Sequence, residues 1–197
     1  MRNLVAALVV VGLLAVPSFG AINVALQSGG LSSVDVLPGA LVTVDIVAGA
    51  PEGLNSLSGD ITAAGNAGLT SVAGSFAWVP AFSVNLGVGF SFVNGQPGPN
   101  GGWTQFGSAR TDALTQPNGN WTNAKVASYQ VTAGAVPNTS TVLTFVPGDY
   151  GGWPPSTDAG TADIGTLSSL TIRVVPEPAT MALLALGGLL VARRRHA

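Results

Sequence analysis

Hydrophobic and polar positions alternate along much of this chain, in short bursts. The clearest is Leu41–Ala48, where Val42, Val44 and Ile46 fall on one side and Thr43 and Asp45 on the other. A period of two puts successive side chains on opposite faces, so this stretch predicts a half-buried strand. Ile22–Leu26 predicts a shorter first strand. Leu54–Ala63 places Leu57 and Ile61 on either side of Gly59, and Leu69–Val79 keeps Val72, Phe76 and Trp78 in step. Phe82–Val93 is a longer run, and Gly87 and Gly89 inside it predict a bulge or bend. Phe106–Leu114, Lys125–Ala133 (with Ala127, Tyr129 and Val131 together), Thr141–Val146 and Ile164–Val175 complete the strands. Between them Gln27–Ser33, Gly49–Gly53, Asn94–Gly102, Thr115–Thr122, Gly134–Thr139 and Pro147–Gly160 carry the Gly, Pro, Asn and Ser of turns and loops. Eight to ten short strands divided by turn signals predict an all-β fold, an antiparallel β-sandwich of jelly-roll-like form, with a β-barrel as the alternative. No repeat period is present, which sets a solenoid aside.

The alternation stops at both ends. Met1–Gly20 has Arg2, then the apolar Leu4–Val16, then Pro17 and a small-residue end at Ser18-Phe19-Gly20. That order predicts a signal helix removed after Gly20. The other end, Val175–Ala197, has three parts. Val175-Pro176-Glu177-Pro178 is stiff and extended, because each proline fixes φ, lacks an N–H and keeps its predecessor out of the helical region. Ala179–Ala192 is uncharged and rich in Leu and Ala, and predicts a hydrophobic helix containing Ala179, Leu183, Leu184, Leu186, Leu189 and Leu190. Arg193, Arg194 and Arg195 follow as a basic stop that belongs on the cytoplasmic side of a membrane. Fourteen helical residues span ~21 Å against ~30 Å of hydrocarbon, so the anchor is a marginal one. The chain therefore divides into a signal peptide (1–20), a sandwich body (21–174) and a tail (175–197).

Val-Pro-Glu-Pro-Ala-Thr, the Leu/Ala/Gly run and the terminal arginines together resemble a PEP-CTERM protein-sorting tail. The resemblance covers about the last 23 residues. It implies a bacterial exported protein held briefly in the inner membrane through its C-terminal helix. Signal peptidase and a membrane enzyme, exosortase, would process it, cutting near Pro-Glu-Pro, and the body would pass to the cell surface or extracellular matrix, as in a biofilm. A second resemblance lies in the body. Gly39–Ile46 (GALVTVDI), then Gly53–Ile61, then Ala127–Phe145 (ASYQVTAGAVPNTSTVLTF) are similar to the opening and closing strands of cohesin-like and carbohydrate-binding-module-like sandwiches. This implies a sandwich used for protein or glycan contact rather than catalysis.

Composition narrows the function further. The body carries eight acidic and three basic side chains, a net charge of −5, which argues against nucleic acid as a partner. There is no cysteine, so neither disulfides nor thiolate chemistry are available. The single histidine, His196, is in the tail. No Ser-His-Asp triad, Cys-His dyad or His/Cys zinc site can be built in the body. Paired carboxylates could still run glycoside hydrolysis, but most of the acidic residues sit beside Gly, Thr or Ser in turns and read as turn formers. The protein is expected to be no enzyme and to need no cofactor. Structural calcium at Asp149, Asp158 and Asp163 is the one metal alternative, and their spacing does not match an EF-hand loop.

Four tryptophans remain. Trp103, Trp121 and Trp153 each follow a Gly- or Asn-rich turn, whereas Trp78 lies in a strand pattern. On loops, their flat faces would stack on the sugar rings of an extracellular polysaccharide. Alternatively they fold back and cap the sandwich.

Overall fold

Strand-forming bursts that each have one apolar face can bury those faces only against one another. In the computed structural model they do so as two packed sheets. The structure describes residues 21–80, 93–109, 121–150, 152, 154–157, 160–177, 183 and 186. The strands are β1 (Ile22–Gln27), β2 (Ser33–Val36), β3 (Leu41–Ala50), β4 (Ser56–Gly65), β5 (Thr70–Ser71), β6 (Ala77–Trp78) and β7 (Val93–Pro97). They continue as β8 (Trp103–Ala109), β9 (Trp121–Thr132), β10 (Thr139–Pro147), β11 (Ser156–Thr157), β12 (Gly160–Thr161), β13 (Ile164–Ser168) and β14 (Leu170–Val174). The first sheet runs β13-β1-β3-β9, with β5 and β6 both on the free side of β9. The second runs β7-β8-β4-β10-β14-β2, with the β11–β12 hairpin joined at Ser56. The expected signal helix (1–20) and most of the expected C-terminal helix lie outside the described residues.

The core lies between the sheets and follows the alternation. Ile22, Val24 and Leu26 of β1 and Val42, Val44 and Ile46 of β3 face Leu57 and Ile61 of β4, Leu143 and Phe145 of β10, and Leu170, Ile172 and Val174 of β14. Phe76, Trp78 and Tyr129 from the first sheet's side meet Trp103 and Phe106 of β8 in one aromatic cluster, with centroids 5.2 to 6.4 Å apart. Such pairs add roughly 0.5–1.5 kcal/mol each beyond the area they bury.

Several expected boundaries move. Leu69–Val79 is two short strands, because Val72–Ser75 turns: Ser75 N–H and hydroxyl both bond the Val72 carbonyl, and Gly74 has φ +73°. Asn94–Gly102, read as a loop, begins as β7, and the Thr115–Thr122 loop gives up Trp121 to β9. Ser33–Val36, unassigned in the strand pattern beyond the Gln27–Ser33 link, is β2. Ile164–Val175 is not one strand: β13 and β14 belong to different sheets, and the chain crosses at Ser169, whose hydroxyl pairs with that of Thr144 at 2.9 Å. The sandwich is also not wholly antiparallel, since β13 runs parallel to β1 and β14 parallel to β2.

Within Pro147–Gly160, expected as a polar loop, Gly148, Tyr150 and Pro154 pack on the outer face of β4 and β8. The Ser56 and Ser58 hydroxyls donate to the Pro154 and Gly148 carbonyls, and both serines are buried. Gly107 lies beneath it, where a Cβ would collide with the Tyr150 carbonyl. Small residues at these outward positions are what let the segment lie flat. Phe106→Ala is expected to lower the unfolding free energy by about 3–5 kcal/mol, and Val142→Ala, on the outer face of β10, by no more than ~0.5 kcal/mol. Equal shifts of the two denaturant midpoints would contradict this placement of the core.

Candidate functional site

The sorting stretch begins where the last strand ends. β14 is an interior strand, paired antiparallel with β10 and parallel with β2. Its final residue, Val174, is buried and opposite Thr139 on one side and Val36 on the other. The Val174 carbonyl accepts the Asn138 N–H at 2.7 Å, and the Val175 N–H donates to the Val36 carbonyl at 2.8 Å. Pro176 has no N–H, so the ladder cannot continue. Val175 and Pro176 are half-buried and Glu177 is exposed. Arg173 Nε and Asp35 Oδ1, 2.7 Å apart, tie β14 to β2 on the outer face. Sequence reasoning missed Asp35, Val36 and Asn138 as neighbours of the tail. The alternation of Ser33-Val34-Asp35-Val36 before a Pro-Gly turn is the signal that marks this strand.

Pro178, Ala179, Leu184, Leu189, Leu190 and Arg193–Arg195 lie outside the described residues. Leu183 and Leu186 are exposed, so neither joins the sandwich core. Among the described residues no helix is long and apolar enough to cross a membrane.

The tryptophans part company. Trp103 is 1% exposed, and its indole N–H donates to the Asn94 carbonyl at 2.6 Å. It cannot stack on a sugar without unpacking the core, so of its two expected placements the folded-back one is the one observed. Trp78 is also buried. Trp121 opens β9 opposite Ala50. Trp153 and the side chain of Trp121 lie outside what is described.

The carboxylates mostly serve the fold. Asp45 Oδ1 is 3.5 Å from Lys125 Nζ. Asp60 accepts the Gln105 N–H at 2.7 Å and the Tyr150 hydroxyl at 2.8 Å. Gln105 has φ +58° within a bulge where β4 and β8 slip register, and the Asp60 carboxylate satisfies the N–H displaced there. Asp149 and Asp163 are exposed, and Asp158 is outside the described residues. Among the described residues no three acidic, histidine or cysteine side chains converge on a point.

A groove of about 450 Å³ opens on the outer face of the first sheet. Asn23, Gln27, Asn123, Thr166 and Ser168 surround Val47 there, and among the described residues no charged side chain lines it. Asn23 Oδ1 accepts the Thr166 N–H at 2.8 Å, and Asn123 has φ +40° where β3 and β9 slip register. Its amides and hydroxyls suit a neutral hydrogen-bonding ligand rather than an ion.

Comparison with known proteins separates tail from body. Residues 174–195 match a protein-family model described as the PEP-CTERM protein-sorting motif. No curated protein matches the chain. Among solved structures, CaCohA2 of Clostridium acetobutylicum is similar with a TM-score of 0.54 at 11% identity, over 79% of this chain and 91% of that one. The cohesin–dockerin complex Coh-OlpA-Doc918 of Clostridium thermocellum gives 0.53 at 10%, over 79% and 99%. The structural neighbours are cohesins, so the body has a cohesin-like sandwich fold.

Both tyrosines of the chain are perturbed the same way. Burial pushes the Tyr129 phenol far above its ordinary value, and its hydroxyl donates to the Gly101 carbonyl at 3.0 Å. The Tyr150 phenol is raised by its hydrogen bond to Asp60 first, then by burial, then by the Asp60 charge. The unfolded chain loses these protons near pH ~10 while the folded protein still holds them. Stability is therefore full below about pH 10 and falls as pH rises beyond it. Urea midpoints taken from about pH 7 to 11 should show that fall, and it should be shallower in Tyr129→Phe. In Asp60→Asn the phenolate absorbance of Tyr150 should appear at lower pH than in the wild type.

Proposed function

We propose that this is an exported, non-enzymatic cell-surface or extracellular-matrix protein, delivered by an exosortase-type sorting system. Residues 1–20 act as the signal peptide and 175–197 as the sorting tail. In the tail, Val175, Pro176, Glu177 and Pro178 are the motif read by the processing enzyme. Ala179–Ala192 holds the chain transiently in the inner membrane, and Arg193, Arg194 and Arg195 stay on the cytoplasmic side. The observation that carries this reading is the continuous match of the sorting motif over 174–195, which starts at the last residue of the final strand. A folded body that ends where an address begins is what a cargo protein requires.

The body then serves as a binding module, and protein contact is the favoured mode. One neighbour of the same fold is a cohesin in complex with a dockerin, and the burial of Trp103 removes one of the three tryptophans on which glycan stacking depended. In the native cell, the secreted protein should lack both ends by intact mass. Glu177→Ala should remain in the membrane fraction with its C-terminus intact. An unprocessed wild-type C-terminus in the secreted material would sink the sorting reading.

A second reading, contact with a secreted polysaccharide, is supported by the uncharged groove at Asn23, Gln27, Asn123, Thr166 and Ser168. Trp121 and Trp153 remain its aromatic candidates. Retention on a neutral polysaccharide column should then drop at least ~10-fold in a Gln27→Ala/Asn123→Ala double variant, the order of one or two lost hydrogen bonds. Retention equal to that of an unrelated protein would exclude it.

A further inference from the structure

The first residues of the tail are not free of the body. The Val174–Val175 peptide group is held on both sides, its carbonyl by the Asn138 N–H and its N–H by the Val36 carbonyl. The Val174 side chain is 1% exposed. Upstream, Leu170 and Ile172 are fully buried, and every residue of β14 is paired with β10 or β2. The next peptide group, Val175–Pro176, has no N–H, and both of its residues are half-buried. Glu177 is the first exposed residue after Val174, and the Pro176–Glu177 group is the first beyond the strand that has an N–H.

A processing enzyme takes its substrate as an extended strand and bonds the carbonyl and N–H that flank the scissile bond. A peptide group already bonded on both edges in a sheet cannot make those bonds until the strand is pulled out. Freeing Val174 would break the ladder to both neighbours, β10 and β2, and expose an apolar side chain that is now buried. The ion pair between Arg173 and Asp35 adds to the hold on the same two strands.

We propose that the folded body sets the upstream limit of tail processing: no bond before Pro176–Glu177 is available for cleavage, and the processed protein keeps Val175 and Pro176 as an extension of β14. This deepens the sorting reading and rests on it. In the step itself one amide is broken. Its carbonyl carbon passes to water or to an acceptor amine or hydroxyl, and its nitrogen leaves with a proton as the new amino terminus of the tail. The sandwich supplies no catalytic group. It decides which amides can be presented, and the upstream limit is the same on every copy because the sheet ends at the same residue.

The test has two arms. The purified full chain, in detergent, is digested with a broad-specificity endoprotease, once folded and once in urea, and the C-terminal ends are read by mass spectrometry. The expected result is folded-state ends at Pro176 or later, and urea-state ends that also fall within 170–175. Folded-state ends at or before Val175, or identical ends in both states, would overturn the proposal. In the second arm the processed protein from the native cell should end at Pro176 or later, and an end at or before Val175 would overturn it equally. A native protein with its tail intact would overturn the sorting reading alone, because the protease ends still decide the limit.

Discussion

The ring of Tyr129 lies 5.2 Å from that of Trp103 and 6.4 Å from that of Phe76, and these contacts fill the space between the two sheets. The chain has no cysteine and few charges, so the sheets are held together by burial. Aromatic rings do this only if their polar atoms are also satisfied. Here the 98–102 turn supplies the partners. Tyr129 donates to Gly101, Ser71 donates to Gly102 at 2.6 Å, and Trp103 donates to Asn94 just upstream. Gly101, at φ +87°, sits so close to Leu69 that a Cβ would lie 2.6 Å from the leucine Cβ. A turn that looks like a surface loop is therefore a bridge between sheets.

The two ends of the body are linked by the same economy of packing. β1 and β13 are neighbours in one sheet, β2 and β14 in the other, and both pairs run parallel. Residues about as far apart as the chain allows thus close both sheets together. This puts the last strand in the interior of its sheet, where it cannot fray alone. It also brings the sorting stretch to the fold's edge with no intervening linker. The sorting motif and the folded body consequently overlap: the motif match begins at Val174, the buried last residue of β14.

Much of this was legible in the chain, and what was not has specific causes. The alternation of Val42, Val44 and Ile46 gave the correct buried face of β3, and Ala127, Tyr129 and Val131 gave that of β9. Leu57 and Ile61 are buried as expected. The tail was readable because its signal is local, a Pro-Glu-Pro element followed by an apolar run and arginines. Trp103 was left between a sugar-stacking and a folded-back reading because Asn-Gly-Gly before it reads as a turn whether that turn faces solvent or the core. Ile164–Val175 was read as one strand because its alternation does not register a change of sheet at Ser169. Pro147–Gly160 was read as a polar loop because the residues that Gly148, Tyr150 and Pro154 pack on, Ser56, Ser58 and Gly107, lie on distant strands.

What the sequence by itself determined is therefore the class of fold, the identity of the inward faces and the sorting motif of the tail. These depend on periodicity and on contiguous motifs, which neighbouring residues specify without help. Only the tertiary structure decided which strands pair, that β13 and β14 part into different sheets, that Trp103 is core, and that Val175 is still bonded to Val36. Those outcomes depend on contacts between residues remote in sequence, where several arrangements satisfy the same local pattern and the combined burial of side chains selects one.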